Sequence, residues 1–232
     1  MPRRCWAGAV QRGRIDGSTA EQLGEPPNGS DALDVLCLDL EGVLVPEIWI
    51  GVAERTGIPE LRKTTRDVPV YDDLMRMRLE VLRARGVGFT TIRDVIAELG
   101  PLPGANAFLA WARQRFQIAI VSDSFYEFAT PLMAQLGHPM LLCHRLEIRD
   151  DRIVGYTLRQ TDPKRQSVRA FQGLGYRVHA VGDSFNDVPM LEQADRAFFF
   201  RAPDAIAERY PAFARAESYR DLERLLTDAA PR

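Results

Sequence analysis

The chain has 232 residues, 46% of them hydrophobic and 27% charged, with a formal net charge of −2 and a pI near 6.0. That is enough apolar material for one core with an insertion, and the charge balance gives no reason to expect nucleic acid or a membrane surface as a partner. No segment approaches the roughly 20 apolar residues of a membrane span, and the first residues lack the uninterrupted apolar run of a secretory signal.

In chain order, residues 1–32 mix Arg3, Arg4, Arg12 and Arg14 with glycines and close on Gly24-Glu25-Pro26-Pro27-Asn28-Gly29-Ser30. This stretch reads as a disordered extension, or as the product of an upstream start choice. The run Val35-Leu36-Cys37-Leu38 then reads as a buried strand that delivers Asp39 and Glu41, two residues apart, into a turn at Gly42. A wholly apolar strand suits a parallel sheet covered on both faces, whose ligand sites lie beyond the strands' carboxyl ends. The two carboxylates, on the same side of the strand, are expected to converge on one point. Taken alone, the segment also fits an ordinary polar strand end.

Residues 49–101 contain no strand-like run, whereas 71–85 carries Leu74, Met75, Leu79 and Leu82 at helical spacing and 92–99 continues the pattern. A helical insertion is expected there. The core, residues 33–48 and 102–232, resumes with a helix over 105–114 and a strand over 116–121 leading into Ser122-Asp123-Ser124. That serine-rich end offers a hydroxyl and backbone donors to phosphate at the start of the next helix, 125–136. Residues 140–143 read as a short strand, and 146–148 with 153–158 as a hairpin. Thr161-Asp162-Pro163-Lys164 sets a lysine at a helix start, and a strand over 178–181 runs through Gly182 into Asp183-Ser184-Phe185-Asn186-Asp187. A strand over 197–200 and a helix over 221–226 complete an alternation that predicts an α/β, doubly wound parallel sheet.

Two strand ends presenting Asp39, Glu41, Asp183 and Asp187 to one crevice crowd negative charge, which is unfavourable unless a cation sits among them. Oxygen-only ligands point to Mg²⁺ before Zn²⁺. Lys164 is placed where its ammonium meets both a phosphate and Asp39, although a lone lysine is more often solvated. Cys5, Cys37 and Cys143, and His138, His144 and His179, show no metal-ligand spacing. The cysteines suit the reduced thiols of a cytoplasmic protein, and His179 and Trp49 suit packing roles.

In order and spacing, Asp39-Leu40-Glu41-Gly42-Val43, Ser122, Lys164 and Gly182-Asp183-Ser184-Phe185-Asn186-Asp187 resemble the four motifs of the haloacid dehalogenase superfamily of phosphotransferases. One departure is Glu41, where aspartate is commoner. With Glu47, Ser122-Asp123-Ser124-Phe125 and Asp162-Pro163-Lys164-Arg165, it narrows the resemblance to phosphoserine phosphatases also described as phosphoserine:homoserine phosphotransferases. The resemblance implies a small helical cap over residues 49–101 and an aspartyl-phosphate formed on Asp39. It implies Mg²⁺ held by Asp39, the backbone carbonyl of Glu41 and Asp183, with Asp187 behind them. Glu41 is implied as acid and base, and Lys164 and Ser122 as phosphate donors. Glu47 is assigned to a substrate ammonium, Arg78 to its carboxylate, and Asp123 and Asn186 to the substrate side. A phosphatase for another small phosphomonoester, or an inactive member that binds a phosphorylated ligand, are the other readings of these motifs.

Overall fold

The computed structural model describes residues 33–64, 67–68 and 70–228, so the extension expected over 1–32 lies outside the described residues. Seven strands form one sheet in the order β4-β3-β2-β1-β5-β6-β7. They are β1 Asp34–Leu38, β2 Gln117–Phe125, β3 Met140–Arg149, β4 Arg152–Thr157, β5 Arg177–Gly182, β6 Arg196–Phe200 and β7 Ala214–Ala216. All neighbours pair in parallel except β3 with β4, which form an antiparallel edge. The central β1 alternates its side chains between two cores, as the two-residue period of a strand requires. Leu36 and Leu38 enter the larger core, while Val35 and Cys37 enter the smaller one.

The helices sort by those faces. Against the larger core lie α1 Ile48–Thr56, α3 Phe89–Leu99, α4 Ala105–Ala112, α5 Tyr126–Gln135 and α9 Tyr219–Asp228, with parts of α2 Tyr71–Arg85. Against the smaller lie α6 Pro163–Gly173, α7 Val188–Gln193 and α8 Asp204–Ala207. The first three helices follow β1 in sequence and precede β2. Burial pushes the Cys37 and Cys143 thiols up to about 12, so both stay protonated and unreactive at neutral pH. His179 is wholly buried, packs edge-on against Phe116, and is pulled below its usual pKa by burial.

Two boundaries differ from those expected of the sequence. The strand at 140–143 and the first arm of the hairpin are one strand, β3, which pairs through its first half with β2 and through its second with β4. The turn that follows holds Asp150 and Asp151 at φ 48° and 60°, the left-handed conformation that a two-residue hairpin turn demands. Strand β2 also runs on to Phe125, with a register shift after Val121, so α5 starts only at Tyr126 and Ser122 lies in extended chain.

Candidate active site

At the carboxyl end of β1, the Asp39 amide donates to the Val181 carbonyl at 3.0 Å, and the chain then turns away from the sheet. Gly42, at φ +77°, makes that turn, and the Leu40 carbonyl accepts from the amides of both Leu44 and Val45. Asp39 is left 5% exposed, with a carboxylate oxygen 3.0 Å from the Lys164 ammonium. Lys164 follows Pro163, whose missing N–H is harmless in the first turn of α6. Its Nζ also lies 2.5 Å from Asp187 and 3.7 Å from Asp123. Burial pulls the ammonium down, but the Asp187, Asp39 and Asp123 carboxylates override it and hold its pKa well above the usual lysine value.

The end of β5 is built on one carboxylate. Asp187 accepts from the Asp183 and Ser184 amides at 2.9 and 3.0 Å with one oxygen, while its other oxygen meets Lys164. This closes the 3-10 turn Phe185–Asp187 over Gly182, where a Cβ would come within 2.3 Å of Asp187. Gly42 plays the same part on the facing loop, since a Cβ there would lie 2.4 Å from an Asp183 oxygen. The two glycines thereby let Asp39, Asp183 and Asp187 each offer an oxygen within 4.8 Å of the others.

Burial first, and then the Asp187, Asp183 and Asp123 carboxylates, hold Asp39 well above the usual carboxylate range, with Lys164 opposing them. Crowded, oxygen-only and incompletely neutralised, this set fits a hard divalent cation. Asp187 meanwhile serves Lys164 with one oxygen and the turn with the other.

Glu41 faces another wall. Its Oε2 accepts from the Ile48 amide at 2.8 Å, in the first turn of α1, and the Ser124 hydroxyl also bonds to it. Burial and then the neighbouring Glu47 raise its carboxyl to about 7, against the pull of the Ile48 amide, Ser124 and Arg78. Asp39 and Glu41 both line one cavity, although the charges that shift them come from different neighbours. The strand itself ends at Leu38, so the turn that follows it carries both carboxylates. A pKa near neutrality suits a group that must both give and take a proton.

That cavity, of about 310 Å³, is lined by Asp39, Glu41, Ser122, Asp183 and Asn186 on the sheet side and by Trp49, Tyr71, Leu74 and Arg78 from the helices. Arg78 is 6% exposed and lies over the Trp49 ring, 4.5 Å from its centroid. One terminal nitrogen donates to the Lys63 carbonyl at 2.8 Å, while Nε has no hydrogen-bond partner among the described residues. Burial lowers its pKa to about 10, which still leaves a cation at neutral pH. A buried guanidinium that lines a cavity is suited to a carboxylate. Glu47 also lines the cavity and is exposed at the N-cap of α1.

Ser122 is buried, with its Oγ accepting from the Ser124 amide at 3.1 Å. Asp123 accepts from the Asn186 amide at 2.8 Å and lies 3.8 Å from His144. It thus joins the ends of β2 and β5, and commits one donor of Asn186 to the scaffold. The sequence offered no signal for Tyr71, whose partner lies 52 residues away, and it marked Ser124 as part of a phosphate-facing strand end but not as a donor to Glu41. Trp49, read as packing, also forms cavity wall.

Known proteins bear on this geometry. The family of haloacid dehalogenase-like hydrolases matches residues 44–192. Phosphoserine phosphatase ThrH of Pseudomonas aeruginosa is 55% identical over 201 residues, spanning 86% of this chain and 98% of that protein. A phosphoserine phosphatase of Pseudomonas syringae pv. tomato is 53% identical over 205 residues, spanning 88% of this chain and 86% of that protein. Among solved structures, a phospho-aspartyl intermediate analogue of phosphoserine phosphatase superposes with a TM-score of 0.70 at 20% identity, covering 85% of this chain and 99% of that one. At that identity the likeness speaks for the fold alone. Among the described residues, no helix is long and apolar enough to cross a membrane.

Proposed function

The chain belongs to the haloacid dehalogenase-like hydrolase family, and from that premise we propose that it is a Mg²⁺-dependent phosphoserine phosphatase that also passes the phosphoryl group to homoserine. The observation that carries this reading is a single cavity with chemically different ends. At one end the buried Asp39–Lys164 pair and Ser122 suit a phosphoryl group. At the other the buried Arg78 guanidinium suits a carboxylate. The names of the two Pseudomonas relatives support the same substrate.

In this mechanism an Asp39 carboxylate oxygen forms a bond to phosphorus as the bond to the serine oxygen breaks. Glu41, entering from the α1 side, gives its proton to the departing oxygen. Lys164 and Ser122 donate to the phosphoryl oxygens, and Lys164 favours the ionised form of Asp39 against the burial and carboxylates that oppose it. Glu41, now a carboxylate, takes a proton from water or from the homoserine hydroxyl, whose oxygen displaces Asp39 from phosphorus. Asp39, the Glu41 carbonyl and Asp183 would hold Mg²⁺, which supplies positive charge to neutralise the phosphoryl oxygens. Asp187 holds the ligand loop and Lys164 in place from behind. Glu47 faces the substrate ammonium and Arg78 its carboxylate, while Asp123 and Asn186 brace the phosphate loop. The helices between Ile48 and Leu99 act as a cap that brings Arg78 over the reacting groups, and the enzyme works in the cytoplasm.

Purified protein given Mg²⁺ and phosphoserine is expected to release phosphate, and to form some phosphohomoserine when homoserine is added. Chelation should abolish both products, and fresh Mg²⁺ should restore them. Phosphoserine left untouched while another monoester turns over would remove the substrate from this reading and leave the chemistry standing. Gly42→Ala supplies a separate check on the metal site, because its Cβ would displace Asp183. The variant is expected to need about 10- to 100-fold more Mg²⁺ for half-maximal activity. An unchanged requirement would argue against Asp183 as a ligand.

A further inference from the structure

Tyr71 is the first residue of α2, and with Leu74 and Arg78 it forms one wall of the active-site cavity at helical spacing. Its hydroxyl donates across the fold to the Asp123 carbonyl at 3.2 Å. Asp123 sits between Ser122 and Ser124, so this bond joins the helix carrying the guanidinium to the segment carrying the phosphate-facing hydroxyl. Burial, and then the Asp123 charge, push the phenol's pKa up, so it keeps the proton it donates. The ring stands edge-on to His144 and Tyr156, with centroids 6.5 and 6.0 Å away. The next residue, Asp72, accepts from the Tyr156 hydroxyl. Two consecutive side chains thus fasten the first turn of α2 to the sheet end. Because a helix rises about 1.5 Å per residue, fixing Tyr71 also fixes Arg78, roughly 10 Å further along the axis.

We propose that Tyr71 is a positioning residue that determines specificity: its bond to the Asp123 carbonyl sets the separation between the phosphate end of the cavity and Arg78. Substrates are thereby selected by the distance from phosphorus to carboxylate. This rests on the reading of Arg78 as the carboxylate group, and adds to it how the length of the substrate is measured.

Tyr71→Phe keeps the ring packing and removes only the bond. The variant is expected to lose about five- to tenfold in kcat/KM for phosphoserine, the scale of one hydrogen bond, mainly through KM. p-Nitrophenyl phosphate, which has no carboxylate, should lose less, so the ratio of the two kcat/KM values falls about fivefold. Both rates are read on one preparation, so any loss of folded protein cancels in the ratio. In an Arg78→Ala background the same substitution should leave the ratio unmoved, since there is no guanidinium left to position. An unchanged ratio in the single variant, or an equal fall in both backgrounds, would overturn the proposal and leave Tyr71 a packing residue. Should the wild type ignore phosphoserine, the functional reading fails, and the ratio is taken with phosphothreonine instead. An enzyme that turns over neither carboxylate-bearing ester overturns both ideas.

Discussion

Asp39→Asn is expected to abolish turnover, by about 10⁴-fold or more, the scale on which removing a covalent nucleophile is felt. The amide keeps the shape of the side chain but cannot attack phosphorus, and it is a poor ligand for a hard cation. The cost should be confined to function. Asp39 is buried among Asp187, Asp183 and Asp123, with Lys164 as a cationic neighbour, and this surrounding disfavours its charge. Neutralising it relieves that repulsion and leaves Lys164 paired with Asp187. In metal-free buffer the variant should therefore melt no lower than the wild type. Added Mg²⁺ should raise the midpoint of the wild type, which binds it when folded, and raise that of the variant less. Activity within tenfold of wild type would show that the nucleophile is elsewhere, and a large drop in melting temperature would show that Asp39 is structural.

Much of this site was legible in the sequence because its chemistry sits where strands end. Apolar runs broken by glycine and acid marked the ends of β1 and β5. The sheet order then brings those two strands side by side, with Leu38 opposite Val181. Asp39, Asp183 and Asp187 meet for that reason, and Lys164 reaches them from the first turn of α6. The doubly wound sheet was readable on the same basis, since fully apolar strands alternate with helical segments.

What escaped depends on contacts between remote segments or on local turns. The two-residue period placed Asp39 and Glu41 on one side of a strand, but the strand ends at Leu38, so it is the turn after it that carries both into one cavity. Tyr71, Trp49 and Ser124 are ordinary core-type or turn-type residues by any local pattern. They matter because helices inserted after β1 fold back over the end of β2. Arg78 was named only by the resemblance, since no local pattern sets it apart from a solvated helix residue; its burial against Trp49 does. Asp123 was legible as a neighbour of Ser122, but not as the anchor that holds Asn186.

Glu41→Gln separates two roles that proximity alone leaves mixed. The Gln carbonyl oxygen can still accept from the Ile48 amide, as Oε2 of Glu41 does at 2.8 Å, so the start of α1 should stand. The backbone carbonyl of residue 41 is untouched, and Asp39 remains free to attack. What disappears is a proton held near pKa 7, the one that the serine oxygen needs as it leaves. Losing a general acid typically costs about 10² to 10⁴ in rate. p-Nitrophenolate is stable enough as an anion to leave without that proton. The variant should therefore lose far more of its phosphorylation rate with phosphoserine than with p-nitrophenyl phosphate. The comparison must be made on the first turnover, because the second step needs Glu41 as base for either substrate. With the activated ester the variant should release a burst of p-nitrophenol matching the amount of enzyme and then stall, with phosphate held on Asp39. Equal losses in the first step for both esters would mean that Glu41 acts through the fold or the metal, and the proton would have to come from another side of the cavity.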